Sequence, residues 1–225
     1  MIEFVSAKRS TQEAFETSTA LGRSLPRVAY NPTIASRVTT ENTTGLSTLY
    51  NRAIDEDNAH DILVFLHDDV FLDDYFIGQR IVEGLKTFDV IGLAGTRRRL
   101  PGQHSWASVD EKTFEFDKKY LSGMLAHRDP RDEFVVSLYG ATPAPCELMD
   151  GVFLAARKSK LREAGVRFDE RFTFHFYDLD FCRTARNAGL RLGTWPIAVT
   201  HMSGGVFGSP AWLAAKAIYF EKWGD

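Results

Sequence analysis

The residues best equipped for chemistry in this chain are His67, Asp68 and Asp69, three adjacent polar side chains that end the apolar run Ile62-Leu63-Val64-Phe65-Leu66. Neighbouring carboxylates repel one another unless a cation or a proton sits among them, so the triplet can hold a divalent ion. It can equally be a solvated acidic turn that caps the helix expected near Asp73 and Asp74. Further along, Asp178 and Asp180 flank Leu179 where a helix is predicted to open, and there they point about 200° apart. One can then face a substrate while the other caps or pairs. Carboxylates in a first helical turn are also favoured by the helix dipole with no substrate at all. Asp150-Gly151 reads as a turn between two apolar runs, and His201 ends an extended segment. Arg97, Arg98 and Arg99 form a basic triplet that can meet an anion or simply sit in water.

Positioning these groups requires a sheet. A continuous apolar run the length of 62–66 suits a strand buried on both faces, as in a parallel sheet covered by helices. Open α/β sheets bind ligands beyond the carboxyl ends of such strands, which is where the triplet falls. The pattern predicts further strands at 2–6, 27–30, 90–95, 190–195 and 197–201, and a strand, turn and second apolar run over 146–157. Helices are expected at 46–56, capped by Asn42, Thr43 or Thr44, and from Asp73 or Asp74 through Leu85. Others are expected at 158–165 and 178–187, with an amphipathic closing helix at 212–223. Residues 7–19 read as a long polar connection, 100–144 as an irregular or hairpin-rich insert with a short strand at 135–139, and 202–205 as flexible.

Composition narrows the classes. With 225 residues, 44% hydrophobic and 25% charged, the chain has ordinary globular values and enough length for one α/β domain with a sizeable core. A net charge of -3 gives no electrostatic case for nucleic acid or a membrane surface. Cys146 and Cys182 are the two cysteines, too few for a disulfide framework and without zinc-ligand spacing, which favours a reducing compartment. No signal-peptide pattern opens the chain, and no run approaches the ~18–20 apolar residues of a transmembrane segment. The expectation is a soluble, cytoplasmic protein.

Three separated segments together resemble nucleotide-sugar glycosyltransferases of the GT-A fold, close to the family 2-like group. Gly45-Leu46-Ser47 with Tyr50-Asn51-Arg52 resembles that family's glycine and helix beside the nucleotide, and Phe65-Leu66-His67-Asp68-Asp69 resembles its strand-end DxD motif. Asp150-Gly151, Phe168-Asp169-Glu170, Tyr177-Asp178-Leu179-Asp180, His201 and Gly204-Gly205 resemble its acceptor-side half. Two positions depart from the pattern: His67 stands where the first aspartate of the DxD is usual, and Tyr177 where the glutamate of a Glu-Asp pair is usual. The resemblance implies a Rossmann-like α/β domain over 1–225, with a mostly parallel central sheet, flanking helices and a small secondary sheet. Within it, 1–99 form the nucleotide-binding half, 146–205 the acceptor-side half and 206–225 the closing helix.

For function, the resemblance implies transfer of a sugar from a nucleotide diphosphate donor, expected to be a UDP-sugar, to a carbohydrate or other hydroxyl acceptor. Asp178 becomes the base of an inverting displacement, with Asp180 its competitor. Ser6, Asn51, Arg52, His67, Asp68 and Asp69 are placed at the donor, and Asp150, Gly151, Tyr177 and Asp180 at the acceptor or sugar. Asp69 and His201 are placed on the metal, Mn2+ or Mg2+, with Asp68 as a further candidate; a histidine ligand tilts the choice toward manganese. Phe174, Phe176 and Tyr177 can form a sugar-stacking wall or simply part of a core. The competing readings are a non-catalytic nucleotide-sugar-binding or assembly module with a degenerate site, and a metal-dependent phosphoesterase using the His67–Asp69 triplet.

Overall fold

The structure, a computed structural model, describes residues 1–110, 113, 115–128, 131, 133–204 and 207–224. Gly205, part of the acceptor-side resemblance, lies outside them. The first half of the chain forms β1 (Ile2–Ala7), α1 (Gln12–Ser18), α2 (Ala20–Ser24), β2 (Ile34–Thr39), α3 (Leu46–Asp55), β3 (Ile62–Leu66), β4 (Val70–Leu72), α4 (Ile77–Thr87), β5 (Val90–Gly92) and β6 (Ala94–Thr96). The second adds β7 (Leu121–Arg128), β8 (Phe134–Gly140), β9 (Ala144–Pro145), β10 (Leu148–Met149), β11 (Phe153–Arg157), α5 (Lys158–Glu163), α6 (Tyr177–Asn187), β12 (Leu192–Thr194), β13 (Val199–His201) and α7 (Pro210–Trp223).

A 7-stranded sheet runs β2-β1-β3-β11-β5-β12-β9, and a 6-stranded one runs β10-β6-β7-β13-β4 with β8 beside β7. In the larger sheet β1, β2, β3, β5 and β12 point the same way, and β11 and β9 run against them. β3 is wholly buried, parallel to β1 on one side and antiparallel to β11 on the other. Its side chains alternate between two cores. Leu63 and Phe65 join Tyr50 of α3 with Phe168 and Phe181, while Ile62, Val64 and Leu66 join Ile81 and Leu85 of α4. Each such side chain stabilises the fold by about 1.5–3 kcal/mol, so both faces of β3 hold the carboxyl end of the strand in place.

Several elements differ from the sequence reading. Residues 27–30 are not a strand: Leu25–Arg27 form a 3-10 turn, Val28 N–H donates to Leu25 O at 3.1 Å, and the second strand is β2 instead. β2 is an edge strand whose residues are mostly half-exposed, so its apolar signal is weak. The polar stretch 7–19 contains α1, and Thr19 caps α2 by accepting from Gly22 N–H at 2.9 Å. Asn42 folds back on Thr44 rather than capping α3, whose cap position is Gly45. Asp73 and Asp74 precede α4 rather than opening it: Thr200 Oγ1 donates to Asp73 at 2.7 Å, and Asp74 pairs with Arg80.

The run 90–95 splits at Leu93, β5 staying in the large sheet and β6 crossing into the second. Gly123 allows the crossing, because at φ +97° it lies so close that a Cβ there would meet Leu93 O at 1.9 Å. Part of the insert forms β7 and β8, which pair antiparallel, and β8 contains the strand expected at 135–139. The closing helix starts at Pro210, with Ser209 as its cap; Trp212 and Tyr219 are buried, but Leu213 is largely exposed, so its apolar residues are not confined to one stripe. Among the described residues no helix is long and apolar enough to cross a membrane.

Candidate functional site

β3 delivers His67 to the end of the large sheet, and the chain turns at once into β4, which pairs antiparallel with β13 so that Val70 faces His201. Met202 N–H donates to Asp69 O at 3.0 Å and extends that ladder by one rung. This pairing brings His201 back to the triplet: His201 Nε2 lies 3.3 Å from Asp69 Oδ1, and His67 Nδ1 lies 3.9 Å from the same oxygen. Ligand atoms of His67, Asp69 and His201 fall within 4.8 Å of one another. Ser203 Oγ donates to Asp69 Oδ2 at 2.5 Å, while Asp69 Oδ1 is buried with no hydrogen-bond partner.

That buried, unpartnered oxygen between two imidazoles fits a divalent cation, since a buried carboxylate otherwise needs its acceptor sites filled. Two imidazoles and one carboxylate suit manganese better than magnesium. The electrostatics agree with a cation-ready site. Burial opposes charge on Asp69, but the close approach of the His201 imidazole, the Ser203 hydroxyl and the charge of His67 outweigh it and hold the carboxyl well below its usual range. Burial pushes the His67 imidazole down despite the nearby carboxylates Asp69 and Asp150. Burial also opposes charge on His201, but its contact with Asp69 raises it above the ordinary histidine value.

Residues expected on the acceptor side meet at Gly151. Gly151 N–H donates to Asp178 Oδ2 at 2.9 Å, and Leu179 N–H donates to Asp178 Oδ1 at 2.9 Å. Tyr177 Oη donates to Gly151 O at 2.7 Å and lies 2.8 Å from His67 Nε2. Only glycine fits, because a Cβ at 151 would meet Tyr177 Oη at 2.3 Å and Asp178 Cβ at 2.8 Å. Phe176, left-handed at φ 64°, turns the chain into α6 and sets Tyr177 and Asp178 at its first turn. Burial and the charge of Asp150 push the Asp178 carboxyl up to about 7, the range in which a carboxylate can take and release a proton near neutral pH. Asp150 itself accepts from Trp106 Nε1 at 2.7 Å and from Val152 N–H at 2.9 Å.

Other expected site residues go elsewhere. Asp180 is fully buried and turned away from Asp178: its Oδ1 meets Lys222 Nζ at 2.7 Å and Trp223 Nε1 at 2.9 Å, so it anchors α7. Asn51 is buried on α3; its amide donates to Phe168 O at 2.9 Å and accepts from Phe168 N–H at 2.9 Å, clamping the chain that leads to α6. Arg52 is exposed on α3 beside Glu170. Asp68 lies outside the cation cluster and pairs with Lys8 Nζ at 2.9 Å, across the mouth of β1 and β3. Ser6 is buried, its hydroxyl without a partner, one step beyond the Val5–Phe65 pair and so near the same strand ends.

The basic triplet is not at this corner. Arg98 pairs with Asp117 at 2.7 Å and lies over Tyr120, Arg97 donates to Lys119 O at 2.7 Å, and Arg99 lines a 220 Å³ cavity with Glu147, Arg183 and Arg186. Of the proposed aromatic wall, Phe176 and Tyr177 are buried; Phe174 alone is open, stacked on His67 with centroids 5.6 Å apart. Trp106, Ser203 and Lys8 were missed by sequence reasoning. Trp106 sits in the weakly patterned insert, and no spacing connects it to Asp150.

Comparison with known proteins bears on the family and the fold. Residues 31–205 match the family described as "Glycosyltransferase like family". No curated protein sequence matched the chain. A crystal structure of GalNAc-T7 with UDP, GalNAc and Mn2+ superposes with a TM-score of 0.59 at 12% identity, covering 98% of this chain and 48% of that one. A structure of S. aureus TarS 1–349 in complex with UDP gives 0.51 at 12% identity, covering 91% of this chain and 61% of that one. The chain thus spans less than two thirds of either neighbour, and at such identities the likeness speaks for the fold, which is GT-A. With most of its length matched by the family, and the strand-end triplet and the Gly151 corner inside the matched region, the chain belongs to the glycosyltransferase-like family.

Proposed function

We propose that this protein is an inverting glycosyltransferase that passes a sugar from a UDP-sugar to a hydroxyl of a carbohydrate or other acceptor, with all 225 residues forming one catalytic domain. The observation that carries this reading is the placement of two carboxylates of opposite character around Gly151 and His67. Asp69 is held ionised among imidazoles, and Asp178 is raised to about 7 by burial and the charge of Asp150. A transfer reaction needs both, one where the diphosphate departs and one where the acceptor loses its proton. UDP in both structural neighbours, and Mn2+ in one, support the choice of donor and ion.

A divalent ion held by Asp69, His201 and His67 would supply Lewis-acid neutralisation of the leaving diphosphate. The chain's own residues do the rest. Asp178, its oxygens steadied by two backbone N–H groups, accepts the acceptor's proton on attack, while Asp150, oriented by Trp106, hydrogen-bonds a sugar hydroxyl. Ser6, Lys8 and Asp68 border the strand ends where the nucleoside would lie. Exposed Phe174, flat against His67, offers a face for the sugar ring. Buried Cys146 and Cys182, both free thiols, support a cytoplasmic setting.

A thermal-shift screen of nucleoside diphosphates with and without manganese tests the reading, because a ligand that binds only the folded state raises its melting temperature. The expected result is a UDP shift that requires manganese and disappears in Asp69→Ala. No shift with any nucleoside diphosphate would overturn the proposal.

A further inference from the structure

The hydroxyl of Tyr177 is buried against Gly151 O at 2.7 Å and His67 Nε2 at 2.8 Å, with the Tyr50 hydroxyl also beside it. A carbonyl oxygen can only accept, and a phenol has one proton to give. Once that proton points at Gly151, the contact to His67 must be donated by Nε2–H. A neutral imidazole with its proton on Nε2 carries its lone pair on Nδ1, the nitrogen that lies 3.9 Å from Asp69 Oδ1.

We propose that Tyr177 is a positioning residue that locks His67 in the Nε2–H tautomer and so turns the Nδ1 lone pair toward the cation site shared with Asp69 and His201. This deepens the metal-dependent transfer reading and rests on it. His67 then serves as a third protein ligand rather than as a contact to the sugar. Tyr177 is suited to the task because its ring is fixed on several sides. It meets Tyr50 edge-on at 5.9 Å and Phe168 at 6.0 Å, and only 2% of the residue is exposed. Its neighbour Asp178 receives Gly151 N–H while Tyr177 donates to Gly151 O, so one residue ties the proposed base to the proposed ligand. Outer partners that orient a ligating histidine typically change metal affinity by about 10–100-fold when removed.

The test reads the tautomer first, in the parent protein without metal, from the 15N shifts of labelled histidine at pH 8. The expected result is a protonated Nε2 and a bare Nδ1 for His67; the reverse pattern would overturn the proposal whatever else the protein does. Second, manganese binding to Tyr177→Phe, followed by the electron paramagnetic resonance signal of the free ion without nucleotide, should weaken by about 10–100-fold. Unchanged affinity in a variant that melts cooperatively would also overturn it. Should the variant fail to fold, the parent's tautomer still decides. Neither readout involves sugar transfer. An Nε2–H tautomer with no transfer leaves the relay standing and sinks the function; transfer with an Nδ1–H tautomer does the opposite.

Discussion

The two faces of α6 carry one carboxylate each, two residues apart, and the contrast between them separates chemistry from architecture. Asp178 faces Gly151 and the cation corner, receives only backbone N–H groups, and is pushed by burial and Asp150 to about 7. Asp180 faces α7. Burial raises its carboxyl too, but the hydrogen bond and charge of Lys222 pull against that rise and Trp223 adds a second donor. A buried acid with a cation of its own is committed to holding the fold. One that meets only backbone N–H groups and a like charge keeps a proton affinity near neutrality and can work as a base.

The largest expected break in this contrast comes from Asp178→Asn, which keeps the shape and removes the proton acceptor. Turnover should fall by about 10²–10⁴-fold, with manganese and UDP affinity nearly unchanged in a titration of the folded protein. In the parent, turnover should rise as pH climbs through about 7, because the base must be ionised. The same group acts on stability in the opposite sense. Its folded pKa lies above the ordinary 3.8, so its contribution is fully present below that value and is lost as pH rises toward about 7. Melting curves at pH 4 and pH 8 check the sign.

Asp180→Asn should give the mirror image: a loss of about 1–3 kcal/mol in denaturant unfolding, from weakening the contact to Lys222, with turnover per folded molecule close to the parent's. If instead Asp180→Asn is inactive and Asp178→Asn active, the roles of the two faces are exchanged. The smallest effect is expected from Asp150→Asn. Removing that charge takes away one of the causes that raise Asp178, so the midpoint of the pH–rate profile should move below about 7. A midpoint that stays put would mean that burial alone sets the base.

How much of this was legible in the sequence depended on the range of the interaction. The strand 62–66 and its polar ending were readable because a fully buried strand writes an unbroken apolar run. Helix α3 was readable from periodicity, and α5 and α6 from the glycines that end them, whereas edge strand β2 was not, because most of its residues are only half-buried. The family pattern singled out Asp69, His201 and Asp178, yet what joins His201 to Asp69 is the antiparallel β4–β13 register, which no local pattern encodes. Asn51 illustrates the opposite case. Its helix was expected correctly, but a helix position does not say which neighbour a side chain meets, and the neighbour is the backbone of Phe168. Trp106 was invisible for the same reason: its partner Asp150 lies 44 positions away.

The 2.8 Å contact between His67 and Tyr177 also bears on descent. These are the two positions at which the chain departs from the pattern it resembles, and in the folded molecule they touch. Neither change is neutral alone: a histidine at 67 without the phenol loses the partner of its Nε2, and a tyrosine at 177 without the imidazole keeps only Gly151 O and the Tyr50 hydroxyl. The pair should therefore have been inherited as a unit. Among relatives, tyrosine at the position of 177 should accompany histidine at the position of 67, and chains with an acidic residue at the first should lack the ring at the second.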